Sequence, residues 1–456
     1  MGAVKSTLNG YLNQFDEDRL GADIERIREA GEGPNVLQRG TKRRREVEDN
    51  LSTTNEEIER LLSTPKKKKL HTTSQYIYDN LFREGKDSDI VVKALGKSWK
   101  LHKLYLQQSP YFASLFSGRW ADGYKNVINI NIVDPCITLD SLHLTFGSLY
   151  QDEITVEPGD VIPVLAAATL FQLEGLISQC LVIMDETVNV ETVVRYWEAC
   201  QQYGANQVAG VCVDWLAVNL LSHLPDHPAR LREISPELMS QLISSAHLFV
   251  MQTEFSVYVL LRLWMFLQLH PAWDGEPQDA VAASQSHFKA LHNTSAVDYF
   301  LECPDAAPFL SVFRNIRLPH LINHHMDVEM LVSDKIVPDS WMSSTYYARW
   351  MTLLRLDCGI DKGPQNLDED TFDRECLRCG RTLNTDGQHI WRWTGFNSGL
   401  DLIITYDNYR LTMKVTDTSI HITFPRTECE CTLSKLLEKE CIWTEKQTRE
   451  FLISFF

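Results

Sequence analysis

Residues 88–117 read SDIVVKALGKSWKLHKLYLQQSPYFASLFS. β-Branched and aromatic residues open SDIVVKAL (88–95) and KSWKLHKLYL (97–106), and Gly96 separates them, so the segment starts as two strands joined by a turn. KLYLQQS and PYFASLFSG then read as two short helices, with Pro110 where a first helical turn tolerates proline. Upstream, SQYIYDNLFREG (74–85) sets apolar residues at 77, 78, 81 and 82, a helical face that ends in glycine. Downstream, FSGRWAD (116–122) reads as a surface connection, yet it carries Trp120 two residues before Asp122. NVININI (126–132) alternates as a strand, with Val127 at its end or in a bulge. LDSLHLTFGSLY (139–150), PGDVIPVLAAATLFQ (158–172) and EGLISQCLVIMDETV (174–188) follow as helices. The order defines a small α/β unit.

The chain has 456 residues, 44% hydrophobic and 23% charged, an ordinary globular composition with room for about three domains. Its formal net charge is −17, but residues 1–75 hold 14 basic and 13 acidic side chains, so the remainder is net −18. An acidic body argues against nucleic-acid binding, which needs a positive footprint, and suits a partner with a basic surface. Eleven cysteines spread over the chain, with no secretory pattern in Met1–Ser6, read as reduced thiols. VIPVLAAATLFQLEGLI (161–177) and VYVLLRLWMFLQL (257–269) are the most apolar stretches. Glu174 and Arg262 interrupt them, so both read as buried core helices.

Residues 1–73 lack sustained apolar periodicity and read as a disordered tail, with a short helix allowed over 15–30 (FDEDRLGADIERIREA) where charges repeat at helical spacing. MGAVKS fits the N-myristoylation pattern at Gly2, and one acyl chain needs a second membrane signal. Lys42, Arg43, Arg44 and Arg45, and then Lys66, Lys67, Lys68 and Lys69, form clusters that nuclear import receptors or an anionic lipid surface can read; a solvated linker is the plainer alternative. Residues 188–270 carry four apolar stripes at three-four spacing, an α-helical array. Residues 271–300, rich in Ala, Gln, Asp and Pro, read as a loop or linker. In 301–456, FLSVFRNIRLPHLI and SSTYYARWMTLLRL look helical, 389–415 looks like a hairpin or meander, and TSIHITF (418–424) like a further strand.

SDI (88–90), WKLHK (99–103), SPYFASLFS (109–117) and FGSLYQDEI (146–154), in that order and spacing, resemble the BTB (POZ) family. The helices of 188–270 resemble the BACK domain that often follows it. YIYDNLF, WADG, LFVMQTEFSVY (248–258), RLWMFLQL (262–269) and above all CGRTLNTDGQHIWRWTGFNSGLDLIITY (379–406) resemble the germ cell-less family over roughly 75–425. The resemblance implies an α+β multidomain fold: a 74–187 α/β BTB/POZ domain, a 188–270 helical BACK domain, and a 301–456 mixed α/β C-terminal domain with a β-rich segment. It also implies a non-catalytic adaptor that recruits cullin-3 and a protein substrate in germ-cell specification, at the nuclear envelope and with a possible plasma-membrane pool. The other reading is a nuclear-envelope scaffold or transcriptional co-repressor without ligase activity.

The residues carry no GxSxG, HExxH or glycine-rich phosphate loop, so no catalytic residue and no cofactor is expected. His320, His324 and His325 include an i, i+4 pair able to share a helix face, and Cys376, Cys379, Cys429, Cys431 and Cys441 could make a zinc site; buried thiols are the simpler reading, and no metal is assigned. The BTB resemblance implies a further pattern: in BTB proteins that recruit cullin-3, the loop after the third helix carries a hydrophobic residue, any residue, then an acid. Trp120-Ala121-Asp122 fits, and Phe116 and Tyr150 join it as candidate cullin contacts. Tyr76, Ile77, Leu81 and Phe82 are candidates for a BTB homodimer interface or for core packing. Asp89 and His102 are expected as buried, paired polar groups. Trp391, Trp393, Phe396 and Tyr406, with Tyr409, either anchor substrate or fill an aromatic sheet core.

Overall fold

The computed structural model describes residues 72–117, 126–251, 253–294, 298–360, 368–382, 388–395, 400–407, 410–415, 421–424, 430–431, 441–445 and 450–455. They fall into two compact units that divide between Thr187 and Val188. The tail motifs at Gly2, 42–45 and 66–69 and the 15–30 helix lie outside the described residues.

In the first unit α1 (Thr73–Ile77) runs into a π-helical turn, Tyr78–Arg83. The turn ends at Gly85, φ +65°, where a side chain would strike Lys100. β1 (Ile90–Ala94) and β2 (Lys97–Leu101) pair antiparallel, Ile90 opposite Leu101. Ile90, Val92 and Ala94 are buried and Lys93 is exposed, the period-two pattern of a half-buried strand. α2 (Lys103–Leu106) and α3 (Pro110–Phe116) follow. β3 (Val127–Asn129) lies parallel to β1 and completes a sheet ordered β2-β1-β3. It is shorter than the 126–132 alternation implied. Ile130 still donates its N–H to the Lys93 carbonyl (2.8 Å), but β1 ends at the Leu95-Gly96 turn and leaves residues 131 and 132 nothing to pair with.

α4 (Leu139–Gly147) starts with a Thr138–Ser141 capping box; α5 (Val161–Leu170) and α6 (Glu174–Glu186) complete the unit. Phe112, Phe146 and Phe171 form its aromatic centre, with ring centroids 5.2 Å apart for Phe112–Phe171 and Phe146–Phe171; Trp99 meets Phe146 edge-on at 5.3 Å. Buried Ser109 caps α3 by accepting from the Phe112 N–H and donates to the Phe171 carbonyl at 2.6 Å.

The second unit opens with α7 (Val193–Tyr203), α8 (Asn206–Asn219), α9 (Pro228–Glu233) and α10 (Pro236–Ser244). α10 begins as its residues imply: Ser235 Oγ accepts from Leu238 N–H, and Pro236 follows. α11 (Phe255–Leu269) is buried at every residue from Phe255 to Leu267, so it is a central helix with no solvent face. Among the described residues no helix is long and apolar enough to cross a membrane. Its one charge, Arg262, meets Asp334 at 2.5 Å with both side chains fully buried, and Tyr258 Oη donates to the same carboxylate at 3.0 Å.

α12 (Pro277–Thr294) corrects the linker expectation for 271–300. Ala280, Val281, Ser284 and Phe288 are buried at helical spacing along one side, and that narrow stripe is enough to dock a helix whose remaining residues are mostly polar. α13 (Ala307–Arg314), α14 (His325–Asp334), α15 (Asp339–Asp357) and α16 (Glu369–Glu375) follow. The rest is two antiparallel four-stranded sheets. β5 (His389–Gly395), β6 (Leu400–Asp407), β7 (Arg410–Val415) and β8 (His421–Phe424) form a meander. The second sheet runs β4-β11-β10-β9, using β4 (Leu377–Thr382), β9 (Glu430–Cys431), β10 (Cys441–Glu445) and β11 (Glu450–Phe455). Its last strand returns to pair with β4, Phe455 opposite Leu377.

Candidate functional site

Two surfaces follow from the first unit. One lies at the end of α3. Phe116, its last residue, is half-buried; its ring stacks on Phe112 (6.1 Å) and takes the Lys103 ammonium at 5.9 Å. Trp120 and Asp122 lie outside the described residues. Tyr150 does not belong to a surface. It is buried, stacked on Tyr105 at 4.3 Å, and its hydroxyl accepts the His102 backbone N–H at 2.9 Å. Burial raises its phenol pKa well above the ordinary value, so it stays neutral. Its role is to seat α2, and as a cullin contact it is withdrawn.

The polar pair expected in this unit is present but less buried than anticipated. Asp89 is exposed and accepts the Lys103 N–H at 2.8 Å, so it caps α2 from the start of β1. His102 is half-buried between the Lys86 carbonyl (2.8 Å from Nε2) and the Tyr150 hydroxyl (3.3 Å from Nδ1). Leu104 on α2 is 75% exposed, a surface residue that sequence reasoning missed because α2 is one turn long and shows no periodicity.

The other surface is the N-terminal helical face. Tyr76 is 56% exposed, and Ile77 and Leu81 are half-buried. Phe82 is buried, with ring centroids 4.8 Å from His143, 5.1 Å from Tyr78 and 5.3 Å from Tyr150. Gly147 makes that possible: a Cβ there would lie 3.1 Å from both the Phe82 and Tyr78 rings. Phe82 therefore fills this chain's own core and is removed from the interface candidates, leaving Tyr76, Ile77 and Leu81.

In the second unit Trp391 and Trp393 occupy β5 opposite Ile404 and Leu402 of β6. Tyr406 is half-buried in β6 opposite His389, their rings 6.5 Å apart. Phe396 and Tyr409 lie outside the described residues. The structure adds another aromatic group on α15, where Tyr347 is 68% and Trp350 62% exposed. Its signal was present in SSTYYARWMTLLRL, where apolar residues recur at three-four spacing without acids between them.

The histidine pair does not form, while Cys379, Cys431 and Cys441 share one sheet with Cys431 opposite Cys441, and Cys429 lies outside the described residues. His320 closes a 3-10 turn (Leu318–His320), whereas His324 caps α14 by accepting from Met326 N–H, so the pair shares no helix. Cys376 is buried at the end of α16 and takes a hydrogen bond from Arg317 Nη1 on Sγ at 2.9 Å. Among the described residues no group of three or more His, Cys, Asp or Glu could hold a metal ion. Burial pushes the Cys180 thiol up to about 12 and the Cys200 thiol up to about 11, so both are unreactive packing groups.

Sequence reasoning also missed a buried polar cluster. Glu254 and Arg378 are fully buried and paired at 2.5 Å; Arg378 donates further to the Ile243 (2.9 Å) and Ser245 (2.7 Å) carbonyls. Arg317 donates its backbone N–H to Glu254 (3.2 Å) and its guanidinium to the Cys376 and Asp373 carbonyls. His320 Nε2 meets the Glu375 carbonyl at 2.8 Å. These bonds join residues far apart in sequence and tie α10, α11, α16 and β4 together.

Residues 78–187 match the family model for the BTB/POZ domain. Over 359 residues the chain is 43% identical to Germ cell-less protein-like 1 of Homo sapiens, covering 79% of this chain and 69% of that one. It is 45% identical over 373 residues to Protein germ cell-less of Drosophila melanogaster, 77% of this chain and 65% of that one. It is 42% identical over 348 residues to Germ cell-less protein-like 2 of Homo sapiens, 76% of this chain and 66% of that one. The chain thus spans about two thirds of the length of these relatives. It belongs to the germ cell-less family.

Proposed function

We propose that this chain is a substrate-recognition adaptor of a cullin-3 RING ubiquitin ligase acting in germ-cell development. The BTB/POZ domain takes cullin-3 and the C-terminal region takes the protein substrate. The observation that carries the reading is a BTB/POZ match over 78–187 whose third helix is followed by Trp120-Ala121-Asp122. BTB domains commonly serve as dimerising protein-interaction modules. An adaptor of this kind is a non-enzymatic protein: it holds substrate beside a ubiquitin-charged enzyme and converts a bimolecular encounter into a local one.

In this reading Trp120 buries its indole in an apolar groove of cullin-3, and Asp122 meets a donor or a basic residue at the rim. Half-buried Phe116 is the last residue of α3, the helix that precedes them in the sequence. A Trp120→Ala/Asp122→Lys chain is expected to lose cullin-3 co-purification at least tenfold, the scale of a hot-spot anchor, while its thermal unfolding and dimer mass stay unchanged. Undiminished recovery of cullin-3 from that folded variant would overturn the adaptor reading and favour a scaffold or co-repressor.

The same proposal gives the tail an address. A myristoyl group on Gly2 and the basic clusters at 42–45 and 66–69 would act together at the nuclear envelope, because one acyl chain alone binds membranes only marginally. Intact-mass measurement of the chain from cells is expected to show the acyl adduct; an unmodified glycine would reject it.

A further inference from the structure

β9 is the shortest strand of its sheet. Two residue pairs join it to β10, Cys431 opposite Cys441 and Glu430 opposite Ile442. Strands ordinarily run about three residues or more, and the order β4-β11-β10-β9 leaves the outer side of β9 unpaired among the described residues. So short an edge strand has little of its own to hold it in register.

One of those two pairs is a pair of cysteines. Directly opposed residues of antiparallel strands place their Cα atoms roughly 4.5–5.5 Å apart and their side chains on one face. A disulfide spans Cα separations of about 4.4–6.8 Å, so register alone sets Cys431 and Cys441 at bonding range. Two further cysteines lie at this sheet, and neither competes. Cys379 on β4 lies opposite Ile453, and Ile453 opposite Trp443, so Cys379 is two strands across and two residues along from Cys441. At about 4.8 Å per strand and about 3.3 Å per residue that is roughly 12 Å, past the reach of a disulfide. Cys376, which precedes β4, is buried, and its Sγ takes the Arg317 hydrogen bond at 2.9 Å. Register also sets Cys431 and Cys441 in one row with Phe455 and Leu377, on a face shared with Trp443 and Ile453. Thiol pair and disulfide are both apolar enough for that face.

We propose that Cys431 and Cys441 are a redox-modification site: hydrogen peroxide converts the opposed thiols to a disulfide that staples edge strand β9 to β10, and low-molecular-weight thiols release it. One thiolate attacks the O–O bond of the peroxide, forming a sulfenic acid and expelling hydroxide. The opposed thiolate attacks that sulfur; the S–S bond forms, the S–O bond breaks and a second hydroxide leaves. The two thiol protons take up the two hydroxides, so two thiols and one peroxide give one disulfide and two waters. The ring closes over residues 432–440, and linking its ends removes freedom from the opened edge. A reducing compartment keeps the pair open at rest, and the disulfide is then a transient state. The inference goes beyond the adaptor reading and does not rest on it.

The test is non-reducing peptide mapping of the full-length chain by mass spectrometry, after hydrogen peroxide and alkylation of the remaining thiols. Trypsin cuts after Arg426, Lys435, Lys439 and Lys446, so the disulfide joins peptide 427–435 to peptide 440–446. That linked species is expected in the wild-type monomer and is expected to vanish with dithiothreitol. It is expected to persist in a Cys429→Ser chain and to fall about tenfold or more in a Cys431→Ser chain. Hydrogen–deuterium exchange of amides 441–445 is expected to slow about tenfold when the wild type is oxidised and to stay unchanged in Cys431→Ser, with the amides of α11 unchanged in both. Peroxide-treated wild type without the link would overturn the inference. So would a link that persists in Cys431→Ser and disappears in Cys429→Ser, because Cys429 would then be the partner, or a link confined to disulfide-joined dimers. Equal exchange of 441–445 before and after oxidation would overturn the staple.

Discussion

Asp334 shows how one residue acts inside the second unit. Its carboxylate accepts from Arg262 and Tyr258, both on the central helix α11, and no solvent reaches any of the three. An arginine in that helix costs little only while its partner is present; removing the partner leaves a buried charge with nothing to offset its desolvation. Asp334→Ala is therefore expected to destabilise the fold by about 3–5 kcal/mol, measured as a lowered denaturant midpoint. A double Asp334→Leu/Arg262→Met chain is expected to recover most of that loss. Arg262 was legible as an interruption of an apolar run, but its partner lies 72 residues away and no local pattern names it. Phe82 and Tyr150 carry the same lesson. Spacing put Phe82 on an apolar face without saying which body would cover that face, and the near approach permitted by Gly147 turned it inward.

Elements show where composition misleads. α12 has the residues of a linker, yet four positions at helical spacing dock it. Helix formation here comes from a buried stripe and not from average polarity. The 3-10 turn Leu318–His320 is a different case, an irregular element held by what surrounds it. His320 faces the Glu375 carbonyl, Arg349 and Arg317, with Glu254 acting from further inside. Burial, reinforced by the two arginines, lowers its pKa from 6.5 to about 4. The folded state thus prefers neutral imidazole, and the unfolded state binds more protons between those two values. Stability conferred at this site is fully present above pH 6.5 and is lost as pH falls toward 4. Urea unfolding at pH 7 and pH 5 is expected to differ by about 2 kcal/mol from this group, and a His320→Gln chain is expected to show a flatter pH dependence.

At the scale of the molecule, assembly follows from which apolar residues remain outside. Tyr76, Ile77 and Leu81 retain exposure on the N-terminal helical face of the BTB/POZ domain. If that face closes a two-fold interface, Tyr76→Asp/Ile77→Asp is expected to halve the mass seen by light scattering and leave the fold intact, because neither residue is buried in the protomer. A dimer mass unchanged by both substitutions would place the interface elsewhere.

The order of helices and strands through residue 270 apart from α9, the turn at Gly96, the α10 cap at Ser235 and the meander after 389 were determined by local chemistry: periodicity, glycine, proline and capping side chains act over a few residues. The tertiary structure alone decided which aromatic groups are core and which are surface. It turned Phe82 and Tyr150 inward, left Tyr347 and Trp350 outside, separated the histidines, and gathered Glu254, Arg317 and Arg378 into one buried cluster. The physical reason is range. A side chain's burial and charge partner depend on elements tens or hundreds of residues distant, and the same apolar spacing serves a core or an interface equally well until those elements are in place.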